Sequence, residues 1–383
     1  MTIGAKQACD AAGQIARENP RRLFQEIVEP TGRLIPHWQG IPALQRQLAD
    51  NFAVLHKTVE PPTETSQLRS FAASNSAVLM KIAARSLFSV GRRLLVTDLV
   101  WKNHLRLLKR EARRTTNTIM FAPVRQHFSN PEFDADQLAQ CVANHFVRQQ
   151  CDSLFLTAVS SDGIQLPISK ILAAIDPTLV RQVVVDGAQE FGHVSNCQLG
   201  DKIDAYLLSS HKWLGSHHPL SLMVYSNRNS TSQLEKTTMR LIETGEIDDS
   251  LLKFWSANFQ SGSCQYDETV NISPLIAFAG AINDLNENQR RLANRQQNIC
   301  TIRDLFASQS WRFRSDNLHQ SLQTGIELVT PSTNKILPAH VENQLSSHGV
   351  EATVCNNSVR ISLPTTVMSH SKSAIVANAF DCI

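Results

Sequence analysis

The chain is short of the features that would point first to a metal, a membrane or a nucleic acid. Its 383 residues carry a formal net charge of only +3, too weak a field to draw a polyanion. The dense basic cluster "KREARR", residues 109–114, reads as the solvated end of a helix. The cysteines, Cys9, Cys141, Cys151, Cys197, Cys264, Cys300, Cys355 and Cys382, include no C-x-x-C pair. That argues against a metal site or a disulfide framework and for reduced thiols in the cytoplasm. Lys6, Asp10, Arg17 and Glu18 interrupt the N-terminal stretch, so no apolar signal core is expected there. No apolar run approaches the roughly 18 residues that span a bilayer. Internal repeats and low-complexity segments are also lacking.

What is there is ordinary for a globular protein: 42% hydrophobic and 19% charged residues, in a chain long enough for one large and one small domain. Residues 1–30 read as an amphipathic helix ended near Pro20 and a second short one. "RLIPHWQGIP" is irregular, and Leu44, Leu48, Phe52 and Leu55 then recur at helical spacing. From "QLRSFAA" onward strands and helices alternate: "NSAVLMKIAARSLF" is a helix capped by Ser74 or Asn75, "RLLVTD" a strand, "TNTIMFAP" a strand, "DADQLAQCVANHFVRQQ" a helix with an Asp cap. "DSLFLTAVS", "QVVVD", "DAYLLSS" and "LSLMVYS" are strands of nearly continuous apolar character. Such strands, alternating with helices, imply an α/β fold with a mostly parallel central sheet covered on both faces. Residues 271–307 read as one long helix or two in series, leading into a smaller α+β unit and a closing helix.

Candidate chemistry gathers at strand ends. Asp186 closes a β-branched run in "VVVDGAQEFG", Gln189 follows, and Ser209, His211 and Lys212 stand after the next strand in "SSHKWLG". Sites of open α/β sheets lie at the carboxyl ends of the strands, so Asp186 and Lys212 face one rim. An acid and a lysine there suit a salt bridge, a proton relay or a Schiff-base cofactor. Singly, an Asp at a strand end is a turn residue and a lysine a surface charge.

The segment "VDGAQEFGHV…DAYLLSSHKWLG" resembles the pyridoxal 5'-phosphate enzymes of the class V aminotransferase group, within fold type I. The group includes cysteine desulfurases and isopenicillin N epimerase-like proteins. "VDGAQ", "GH" and "HK" occur in the group's order with a strand between, and a weaker likeness runs from about 30 to 365. The resemblance implies that Lys212 forms the Schiff base, Asp186 pairs with the pyridinium nitrogen, and Gln189 donates to the ring oxygen. It implies that Ser209, His211 and the backbone N–H groups of Ser74, Asn75 and Ser76 meet the phosphate. Trp101 stands where the group stacks a ring on the pyridine, and Ser160 where relatives place an asparagine. Ser263 matches a residue that reaches the phosphate of a neighbouring subunit. Arg360, in "VRISLP", matches the arginine that grips a substrate carboxylate. His37 or Trp38 could touch substrate, and His217, in a turn "WLGSHHPLS" about two residues longer than usual, could line the channel with His218. Cys355, so close to Arg360, reads as a structural cysteine rather than a nucleophile.

The expectation is therefore a fold-type-I enzyme, a cytoplasmic homodimer with active sites at the subunit interface. A large cofactor domain would span 31–280, and a small domain would combine 1–30 with 281–383. Transamination of an amino acid leads. β- or γ-elimination, including C–S lyase or desulfurase-like chemistry, and epimerisation or cyclisation are alternatives. A non-enzymatic protein on the same fold is the outside reading. No metal, nucleic acid or membrane partner is expected.

Overall fold

A computed structural model describes the chain apart from residues 29–33, 56–67, 195–201, 217, 226–228, 262–268, 285–287, 307–310, 333–336, 338–339, 351, 356, 363–365 and 382–383, and apart from certain further side chains, that of Cys355 among them. The chain opens with helices α1 (Ile3–Glu18), α2 (Pro20–Val28) and α3 (Ile41–Leu55). The alternating region follows as β1 (Arg69–Ala73), α4 (Ser76–Val90), β2 (Arg93–Thr97), α5 (Lys102–Thr115), β3 (Thr118–Ala122), α6 (Ala135–Arg148), β4 (Ser153–Thr157), α7 (Ile168–Ala173), β5 (Gln182–Asp186), β6 (Ala205–Ser209) and β7 (Ser221–Tyr225). Helices α8 (Asn229–Glu243), α9 (Ser250–Ser261) and α10 (Ser273–Asn283) complete this part.

The strands form a 7-stranded sheet in the order β1-β7-β6-β5-β4-β2-β3. Strand β7 runs antiparallel to both of its neighbours, and the remaining pairings are parallel. Burial on both faces explains the unbroken apolar runs: along β5, Val183 and Val185 join one core and Val184 the other. Parallel β4, β5 and β6 all end on the same rim, where Thr157 and Asp186 are register partners.

The smaller unit begins with α11 (Asn288–Phe306) and adds β8 (Trp311–Phe313), β9 (Ile326–Pro331), α12 (Val341–Ser347), β10 (Thr353–Cys355), β11 (Ser358–Ser362) and α13 (His370–Asp381). Its strands make an antiparallel sheet in the order β10-β11-β9-β8. One face packs on the helices through Phe313, Val329, Val359 and Ile361. The alternate residues Arg312, Leu328, Thr330, Ser358 and Arg360 face a cavity against the large sheet.

The N-terminal helices pack differently from the grouping of 1–30 with the small domain. Ala5, Ala8, Ala12 and Ile27 belong to the core of the large sheet. Helix α1 crosses α10 so closely that a methyl group added at Gly280 would lie 2.3 Å from the carbonyl oxygen of Gly4. The Thr2 N–H also donates to the Gly215 carbonyl at 3.0 Å. Small residues in α1 decide this, because only they let two helix backbones approach so far.

Gly187 is fixed by a similar approach. The Tyr206 ring passes beneath it, donating its hydroxyl to Glu190 Oε2 at 2.8 Å, and a Cβ at Gly187 would fall 1.8 Å from Tyr206 Cζ. Gly187→Ala should therefore destabilise the fold by about 1–3 kcal/mol, the usual cost of overpacking. Urea unfolding followed by circular dichroism measures it, and an unchanged midpoint would show that Tyr206 yields freely.

Candidate active site

The carboxyl ends of β4, β5 and β6, the start of α4 and the inner face of the small sheet enclose a cavity of about 1310 Å³. Asp186 lies at its floor, only 5% exposed. Burial by itself would raise the carboxyl pKa, but the charge and hydrogen bond of His104, the charge of Lys212 and the Ala188 N–H outweigh it and hold Asp186 below its ordinary value. His104 Nδ1 is 3.0 Å from Asp186 Oδ2, and the Ala188 N–H donates to Oδ1 at 3.1 Å. Asp186 is thus an anion at neutral pH in a place that tolerates one only because its partners are built in.

Lys212 stands in the cavity on a single π-helical turn, Ser210–Leu214, the kind of widened turn that often carries a functional side chain. Desolvation by the walls lowers the Lys212 pKa, Asp186 opposes that, and Arg360 adds to the lowering. A larger neutral fraction makes the amine a better nucleophile and base.

Gln189 has its orientation set by a neighbour. The Trp213 indole N–H donates to Gln189 Oε1 at 2.8 Å. An indole nitrogen can only donate, so it takes the amide oxygen and leaves the NH₂ end for the cavity that Gln189 lines. His193 stacks on Trp213 with ring centroids 3.8 Å apart, and the Arg295 guanidinium lies 4.3 Å from the same ring.

At the far end of the cavity, Asn75 caps α4 by accepting from the N–H groups of Ala77 and Val78. The Ser74 N–H lines the cavity but is engaged within the scaffold. It donates to Asp249 Oδ2 at 3.1 Å, and the Ser74 hydroxyl donates to the same oxygen at 2.5 Å. Asp249 also accepts from Leu252 in the first turn of α9, so Ser74 ties two helix starts together. The N–H groups of Asn75 and Ser76, at the positive end of α4, are left for an anion. Ser209 and His211 line the same cavity. Burial, then the charge of Lys212, lowers the His211 pKa.

Trp101, at the start of α5, is 43% exposed and lines the cavity, its ring edge-on to His104 at 4.9 Å. Ser160 does not reach this space. Its buried hydroxyl donates to Asp162 at 2.5 Å and accepts from the Ile164 N–H at 2.9 Å, so it orders its own loop. His37 is an exposed turn residue with φ 66° and is not on the described cavity wall, while Trp38 is buried. Pro219 lines the cavity, and the His218 carbonyl accepts from Ser210 and Ser216. Ser263 and His217 lie outside the described residues, as does the side chain of Cys355, which ends β10 opposite Ser358.

Several cavity residues escape the sequence reading. His104 sits one helical turn after Trp101, and its spacing of three along "WKNH" was the available signal. Thr157 ends β4 beside Asp186 with a buried hydroxyl that has no hydrogen-bond partner among the described residues. Arg125 and Arg314 grip Asp162 from two elements. Burial works against that carboxylate's charge, but the hydrogen bond from Arg125 and both cations hold it far below the usual range.

No protein-family model and no curated protein matches the chain. Solved structures match throughout. The cystine C–S lyase C-DES superimposes with a TM-score of 0.67 at 16% identity, covering 100% of this chain and 94% of that one. The ureidoglycine–glyoxylate aminotransferase of Bacillus subtilis gives 0.64 at 12% identity, covering 89% and 84%. A cysteine desulfurase from Thermococcus onnurineus gives 0.61 at 14%, covering 89% and 82%. The chain has the fold of the pyridoxal-phosphate enzymes of fold type I, a mostly parallel sheet with helices and a smaller domain.

His193 makes the structure pH-sensitive. Its Nδ1–H donates to the Gln189 carbonyl at 2.8 Å, and its Nε2 accepts from the Gly325 N–H at 3.2 Å. Only the neutral ring can do both. Burial first, then Arg295, depress its pKa from 6.5 to about 3. The unfolded chain binds a proton that the folded one refuses, so the stability contribution is complete above about pH 6.5 and declines as pH falls toward about 3. Between pH 7.5 and 5.5 the wild type should lose about 1.4 kcal/mol more than His193→Gln. Urea titrations of both proteins at the two pH values measure the difference, and parallel losses would rule out a depressed His193.

Proposed function

We propose that the protein is a pyridoxal 5'-phosphate-dependent enzyme that acts at the α-carbon of an amino acid, foremost as an aminotransferase. The observation that carries the reading is the His104–Asp186 pair, buried at the strand rim with Lys212 above it. A buried carboxylate kept charged, and facing a lysine, has the charge needed to keep a pyridine nitrogen protonated. The Thr157 hydroxyl, without a partner among the described residues, the exposed Trp101 ring and the N–H groups of Asn75 and Ser76 suit a flat ring that ends in a phosphate.

When bound, the cofactor would supply an electron sink for the pair of electrons left when a bond at the α-carbon breaks. The chain's own residues supply the rest. Asp186 holds the proton on the ring nitrogen, and His104 holds Asp186. Gln189 presents its NH₂ to the ring oxygen because Trp213 occupies its carbonyl. Asn75, Ser76, Ser209 and His211 bind the phosphate, and Trp101 covers the ring. Lys212 anchors the cofactor, then removes and returns the α-proton. Arg360 takes the substrate carboxylate with a planar fork. Ser263 at a neighbouring subunit's phosphate and His217 at the substrate channel complete the reading. A homodimer in the cytoplasm accords with it: Cys9, Cys141, Cys151 and Cys300 are free thiols, and no described helix is long and apolar enough to cross a membrane.

The likeness to a C–S lyase over 100% of the chain favours elimination as the second reading. Lys212 would remove the same α-proton, and a leaving group on the side chain would depart. Adding amino acids to purified protein separates the branches: keto acid with aminated cofactor marks transamination, whereas ammonia or sulfide with unchanged cofactor marks elimination.

Borohydride reduction of the cofactor-loaded protein should fix the cofactor to the peptide that contains Lys212, and Lys212→Ala should bind cofactor without turnover. Label on another lysine would sink the assignment. Asp186→Asn should slow α-proton exchange by about 10²–10³-fold or more, the loss expected for a key preorganised charge, while cofactor affinity falls less. Near-normal exchange would mean that the ring nitrogen has another partner. Arg360→Lys should cost about 2–5 kcal/mol in kcat/KM, since a point charge does not reproduce a bidentate fork; steady-state kinetics checks it.

A further inference from the structure

We propose that the substrate carries a second anionic group on its side chain, bound by Arg312 while Arg360 takes the α-carboxylate. The inference rests on the amino-acid reading above and narrows it to doubly anionic substrates. Apart from Lys212 and Asp186, the described residues of the cavity wall include the guanidinium groups of Arg125, Arg312, Arg314 and Arg360 and one carboxylate, that of Asp162. An α-carboxylate at Arg360 leaves Arg312, which has no partner among the described residues, unanswered.

The cations are not equally available. Arg125 gives both terminal nitrogens to Asp162, at 2.5 and 3.3 Å, and its Nε to the Asp98 carbonyl at 3.0 Å. Arg314 pairs with Asp162 from the other side. These groups form a rigid wall that still carries a net positive charge. Arg312 makes no hydrogen bond or ion pair among the described residues. It is exposed in the open cavity, while Trp311 and Phe313 on either side turn to the small-domain core.

The register of the small sheet spaces the two arginines. Arg360 on β11 is opposite Leu328 on β9, and Arg312 on β8 is opposite Thr330 on β9. They are two strands and two residues apart, roughly 12 Å between Cα atoms at ordinary strand spacings. Leu328, on the same face, stands between their strands. Between the two cations the face presents Leu328 beside Arg360 and Thr330 beside Arg312. That matches two anions joined by a short run of methylenes. The proposed phosphate position at Asn75 and Ser76 is already served by helix N–H groups and His211, so the cofactor does not account for Arg312.

The test uses calorimetric titration of the cofactor-loaded protein at low salt with acids that lack an amine and cannot react. Succinate is compared with butyrate, and glutarate with valerate, each pair matched in chain length. At least one diacid should bind about tenfold tighter than its partner, equal to about 1.4 kcal/mol. Arg312→Gln should remove most of that preference, and Arg312→Lys should restore part of it. Equal affinities in the wild type, or a preference that survives Arg312→Gln, would overturn the proposal. The same titration without added cofactor separates the two readings. Failure to take up cofactor counts against the enzyme assignment, whereas the diacid preference stands or falls on its own.

Discussion

The arrangement of the site depends on one buried charge. Asp186 ends the central strand β5 and has almost no contact with water. An isolated carboxylate there would take up a proton, because desolvation penalises its charged form by far more than ordinary stability allows. It stays ionised because His104, Ala188 N–H and Lys212 converge on it from different elements. That requirement fixes where α5 begins relative to β5 and where the turn after β6 must return. A pair of this kind adds little to net stability, since its attraction mainly offsets desolvation. Under the proposed function its use lies in holding charge at a fixed place for chemistry.

A second assembly connects this floor to the small domain. Trp213 follows Lys212 directly and holds the Gln189 amide, His193 stacks on Trp213, and His193 accepts from Gly325 at the entrance to β9. Arg295 of α11 covers the other part of the stack. The residues that would orient a cofactor therefore share a network with the strand that lines the cavity through Leu328 and Thr330. A shift of the small domain would be felt at Gln189 through ring contacts and hydrogen bonds, without any long-range device.

The same economy explains which expected site residues stand aside. Ser74 and Ser160 both lie near the cavity, yet their hydroxyls are used within the scaffold, one on Asp249 and the other on Asp162. Each hydroxyl orients an acid that in turn holds a helix start or an arginine wall. Ser160 stays behind the wall, and Ser74 lines the cavity beside Asn75 and Ser76 with its N–H and hydroxyl already engaged.

The sequence by itself determined the layered fold and the central part of the site. Unbroken apolar strands with helices between them can be buried only as a sheet covered on both faces, and Asp186, Gln189, His211 and Lys212 are close enough in the chain for strand ends to place them on one rim. Helix starts at Asn75 and Asp134 were also legible, because their caps are local. Tertiary structure alone decided the rest. His104 reaches Asp186 across 82 residues, and Arg314 reaches Asp162 across 152. Nothing in local spacing carries such distances. The placement of α1 on α10 likewise depends on Gly4 meeting Gly280, and the facing of Arg312 toward the cavity depends on a three-residue strand too short to announce its alternation. Local patterns fix which way a segment folds; burial of charge and close packing between distant segments fix which side chains meet.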